Sequence, residues 1–179
     1  AAGENNDIFR ESAQRVVLFH VGRNLAYARP EMFLARIHPG DELRDLLFGL
    51  CVVYNRSLTH HGDPREVERW AQTFERLPPP ALKRLQPLAR DAYADLMKGK
   101  PLEAYTEAVE LTTARAGLLA AGDLGAAVRG VTEGGEGASR MPMKVRVKEL
   151  VLFAVSRPHM ELRRALGGAI VEQKQGAAG

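Results

Sequence analysis

Apolar residues recur three and four positions apart along most of this chain, and proline or glycine closes each run. That period lines up side chains on one face of an α-helix and does not suit the two-residue alternation of a half-buried strand. The pattern predicts an all-α fold, a single multi-helix domain. Helices are expected over 7–29, 41–54, 66–77, 81–97, 102–121, 123–129, 144–155 and 158–171, with a short apolar helix or turn over 31–37. Asn5, Asn6, Asp7, Asp41 and Asp123 offer side-chain oxygens to the free N–H groups of a helix's first turn. Pro64 follows Asp63 at a first helical position, and Gly99 and Gly122 end helices. Leu43, Leu46, Leu47, Leu50, Cys51 and Tyr54 make a face wide enough for a central, mostly buried helix. Pro87 falls inside a helical run and is expected to kink it. The segment 144–148 alternates like a strand, but Val147, Leu150, Val151, Ala154 and Val155 restore the helical period.

A chain of 179 residues can bury a core without disulfides or structural metal. Its one cysteine, Cys51, excludes an internal disulfide and a multi-cysteine zinc module. Glycines 134, 135 and 137, with Glu133 and Glu136, make 130–142 the expected flexible loop. It divides a helical core, 1–129, from a C-terminal helical pair, 143–173, and a disordered tail is expected over 174–179. The chain opens on Ala rather than Met, as a processed chain or a piece of a longer protein does. No apolar run is long enough to span a bilayer and no basic-then-apolar leader is present, so the expected location is the cytoplasm.

The net charge of +3 is too small to argue for a phosphate-binding surface. Basic clusters at Lys83/Arg84, Lys144 to Lys148 and Arg163/Arg164 are interleaved with Asp91, Glu149 and Glu161, and read as solvated helix faces. No nucleic-acid partner is expected. Cys51 lies within an apolar face and reads as an inert buried thiol. His60 and His61 are adjacent in a polar loop, so their side chains diverge. The glycines at 134–137 lack the Gly-Lys-Ser/Thr ending of a phosphate loop.

Two helices carry a more specific pattern. His20-Val21-Gly22-Arg23-Asn24 has the register of the zincin His-Glu-x-x-His motif, in which two histidines one turn apart share a zinc ion. His20 stands at the first histidine, Val21 at the glutamate and Asn24 at the second histidine. Downstream, Glu110-Leu111-Thr112-Thr113-Ala114-Arg115-Ala116-Gly117-Leu118 resembles the Glu-x-x-Ala-Asp-x-x-Gly-Leu helix of HtpX-like gluzincin peptidases. Glu110 would then hold the third ligand position, Gly117 the glycine, and Ala114 the place of the aspartate. The stretches 22–31, 114–124 and 148–156 are similar to parts of the C-terminal domains of some bacterial tetratricopeptide-repeat proteins.

The resemblance implies a zincin-like helical core whose metal site is lost. His20 and Glu110 are the most that survives of the ligand set, because Asn24 offers zinc only an amide oxygen. Val21 cannot take a proton from water, and losing a general base costs about two powers of ten in rate or more. Glu110 and His20, if they meet, are expected to form a hydrogen bond or ion pair. The implied protein is no enzyme and holds no metal or cofactor. It is a non-catalytic scaffold or interaction domain with one or more protein partners, and self-association is open. The alternatives are a zinc-dependent metallohydrolase with residual or atypical ligands, and a helical binding module unrelated to peptidases.

Overall fold

The computed structural model describes residues 2–134 and 137–167, with side chains from Arg10 onward. The expectation for 174–179 lies outside the described residues, as do Gly135, Glu136 and the far end of the last predicted helix. Among the described residues the fold is all-α, with nine helices and no strand. They are α1 (Ala2–Tyr27), α2 (Pro30–Ile37), α3 (Asp41–Tyr54), α4 (Pro64–Glu75), α5 (Pro79–Lys98), α6 (Lys100–Ala121), α7 (Leu124–Glu133), α8 (Met143–Ala154) and α9 (Arg157–Ala165). None is long and apolar enough to cross a membrane.

Several local rules act as the sequence implies. Asp63 accepts hydrogen bonds from the Arg65 N–H at 2.8 Å and the Glu66 N–H at 3.3 Å, with Pro64 opening α4. Asp123 does the same for α7 through the Ala126 N–H. Gly99 turns the chain between α5 and α6 at φ 72°, a left-handed angle that a Cβ disfavours. The strand-like alternation at 144–148 falls within α8. Other expectations need correction. Helix α1 already runs from Ala2, so Asn5, Asn6 and Asp7 are helical rather than capping. Gly40 precedes α3, and Asp41 instead lies in its first turn, paired with Arg44 at 3.0 Å. Pro87 does fall inside a helix, α5, as expected.

The chain forms two compact units. Unit 1 comprises 2–25, 113–134 and 142–167 of the described residues; unit 2 comprises 26–112 and 137–141. Unit 1 centres on Phe19, fully buried among Ala114, Leu118, Ala127, Val131 and Leu150. Glycine makes that packing possible. A Cβ on Gly117 or Gly130 would overlap the Phe19 ring, and one on Gly22 would lie 2.5 Å from Ala120 Cβ. This overturns the loop expectation at its start: residues 130–133 belong to α7, and Gly130 is a packing glycine.

Unit 2 is built on α3, which packs against α4 and α5 through Phe48, Val52, Val67, Ala71 and Leu96. Gly49 lets α3 and α4 approach, since a Cβ there would lie 2.5 Å from Trp70 Cβ. Buried Asp45 secures the loop before α4. It accepts from the Asp63 N–H at 3.3 Å and pairs with Arg44 at 3.2 Å. A second cluster joins Tyr27, Ala35, Leu43, Val109 and Ala138.

Candidate functional site

The resemblance directs attention to five positions on α1 and α6. In unit 1, His20 is half-buried, with its ring edge-on to Phe19 at 5.5 Å. A Cβ on Gly134 would lie 3.3 Å from His20 Cε1, so the end of α7 passes close to the imidazole. Asn24 is exposed, and its amide donates to the His20 carbonyl of its own helix at 2.8 Å. Ala114 is buried in the Phe19 core. Val21 is exposed and has no atom that can bind metal or accept a proton.

In unit 2, Glu110 is 1% exposed. Its Oε2 accepts the backbone N–H of Ala138 at 2.7 Å, and Gly137 is so close that any Cβ would overlap the carboxylate. Leaving that buried amide N–H without its acceptor would cost about 1–3 kcal/mol. Glu110 therefore works as a clamp on 137–138. Ala138 and Met141 are buried as well. The chain at 137–141 is thus packed and hydrogen-bonded, a second departure from the expected flexible loop.

Two of the five positions carry no donor, the Asn24 amide is turned onto its own helix, and the Glu110 carboxylate serves a backbone amide. Among the described residues no group of three or more His, Cys, Asp or Glu side chains could hold a metal.

Val21 belongs instead to another feature. Val17, Leu18, Val21 and Leu25 are 60%, 46%, 47% and 68% exposed. At about 100° per residue all four fall within about 100° of arc on α1. The stripe is apolar and faces solvent. Sequence reasoning fixed on the opposite face, where Val16, Phe19 and Tyr27 follow core spacing. The signal was present: α1 is apolar on more of its circumference than one core contact can cover. Helix α8 likewise exposes Val145, Val151 and Leu152, and Val155 just beyond its end is exposed too.

No family model matches the chain, and neither a curated protein nor a solved structure matches it.

Proposed function

We propose that this chain is a non-catalytic helical interaction domain that binds a protein partner through the apolar stripe of α1. The observation that carries the reading is Val21. Where the peptidase motif has its base, this chain has a solvent-facing aliphatic side chain in line with Val17, Leu18 and Leu25. Contiguous exposed apolar surface has a free-energy cost in water that a partner's apolar face removes. A stripe at helical spacing suits the apolar side of an amphipathic helix. The engagement of Asn24 and Glu110 within the fold supports the non-catalytic half of the reading.

Two measurements test it together. Metal content of freshly purified protein is expected to be far below one zinc per chain, with no hydrolysis of a peptide substrate library. A photo-crosslinking residue at Val21 or Leu25, introduced in the native cell, is expected to capture one defined protein. The same residue at Gln72, on exposed α4, is expected to capture none. Stoichiometric zinc that disappears in Glu110→Gln would overturn the reading in favour of a metallohydrolase. Crosslinks only between copies of this chain would replace the foreign partner by self-association.

A further inference from the structure

We propose that the cleft between α3 and α5 is a binding site for a small, flat apolar molecule carrying one anionic group. The cleft encloses about 500 Å³ within unit 2. Pockets for small ligands run from about 300 to 1,000 Å³ and are mostly apolar with a few placed polar groups.

Its walls are two tyrosines whose polar ends are already engaged. Tyr54 Oη donates to the Leu82 carbonyl at 2.5 Å, and Tyr93 Oη donates to the Thr59 carbonyl at 2.8 Å. These bonds hold the rings and leave their carbon surfaces to a guest. On the floor, the buried Cys51 thiol donates to the Ala89 carbonyl at 3.3 Å, and half-buried Leu58 also lines the cleft. The deep polar groups are thus satisfied, so a guest with polar atoms at its inner end would leave them unpaired, at a cost. The inner part must be apolar, and two aromatic walls favour a flat one.

The mouth differs in chemistry. Asn55, Gln86 and Arg90 line it, and all three are exposed. The Arg90 guanidinium lies 3.5 Å from Asp91, in a pair open to water on both sides. Such a pair is weakly held, which leaves the planar donors of Arg90 able to turn onto a carboxylate or sulfonate. The volume itself has a local origin. Cys51 and Ala89 are small residues where α3 meets α5, and Pro87 removes one N–H from α5. This site is independent of the α1 stripe and of the Glu110 clamp.

The test uses the native chain and the dye anilinonaphthalene sulfonate, a fused aromatic with one sulfonate. Cys51 is the only cysteine and lines this cleft, and because its thiol is buried its alkylation by iodoacetamide at mildly alkaline pH is slow and follows opening of the packing around it. Fluorescence titration is expected to give one saturable site per chain, with Kd of about tens of micromolar. The dye should slow Cys51 alkylation with the same concentration dependence. Arg90→Glu, at an exposed position, should weaken both readouts roughly fivefold or more. Leu25→Glu, on the α1 stripe, should change neither. Dye binding without protection of Cys51 overturns the proposal. So does binding lowered by Leu25→Glu and untouched by Arg90→Glu, or no saturable binding at all.

Discussion

The apolar centre around Phe19 and the contact between α3 and α5 follow opposite packing rules. Around Phe19, a large ring packs among Ala114, Leu118, Ala127, Val131 and Leu150, and Gly117 and Gly130 let backbones close in where no Cβ would fit. Between α3 and α5, small residues leave open volume, and two tyrosines stand at its sides. Both regions are helix against helix. The difference shows that small residues have two structural meanings. They draw helices together when a large side chain fills the seam, and they open a cleft when none does.

The sharpest way to break this contrast is to truncate one ring in each region. Phe19→Ala leaves a void that rigid flanking backbones cannot collapse into, with an expected loss of about 3–5 kcal/mol in chemical denaturation. Tyr93→Ala, beside volume that is already open, should cost less, about 1–2 kcal/mol. Equal losses would erase the distinction.

A pH series isolates the floor of the cleft. Burial pushes the Cys51 thiol up from its ordinary 9.0 to about 11. The fold thus favours the neutral thiol, and this contribution is fully present below pH 9. It is lost as pH rises through about 11 and is worth about 2–3 kcal/mol. Burial also raises the Tyr54 and Tyr105 phenols, so their effect runs in the same direction. Comparing the chain with Cys51→Ala from about pH 8 upward separates the thiol's share. The variant should lose less stability over that range.

The smallest effect sets the baseline. Asp63→Ala and Asp123→Ala each remove one helix cap, one in each unit, and should each cost about 1 kcal/mol. Matched values in thermal unfolding would show that the two regions differ in packing and not in how their helices begin.

The Asp63 and Asp123 caps were legible in the sequence because their chemistry is local, although the same residue types at 5–7 and 41 lie inside helices. An aspartate before a helix, a proline after it and a glycine at φ 72° act within a few residues. The all-α class was legible for the same reason, through the period of the apolar residues. The role of Gly130 was not. In a run of glycines and glutamates it looks like loop, and only the Phe19 ring, far away in sequence, makes it a packing position. The Glu110 clamp on Ala138 is equally long-range, since no spacing rule links a helical glutamate to one backbone amide beyond a turn. Sequence did single out Glu110 and Val21, on a resemblance to a metal motif. Their surroundings give one a backbone amide and the other solvent. Burial and exposure, which distinguish them, depend on what packs nearby and not on their own neighbours in the chain.

The discontinuous make-up of unit 1 bears on how the protein is made. Helix α1 leaves the ribosome before its partners around Phe19, which come from α6, α7 and α8, after all of Ala26–Thr112 has emerged. The α3 to α5 packing of unit 2 can form while synthesis continues, because its pieces are near neighbours in the chain. Until α8 is available, the nascent α1 carries two apolar faces without cover, one destined for the core and one that stays exposed in the finished fold. Slower translation through Ala26–Thr112 would lengthen the interval in which both faces stay open to water.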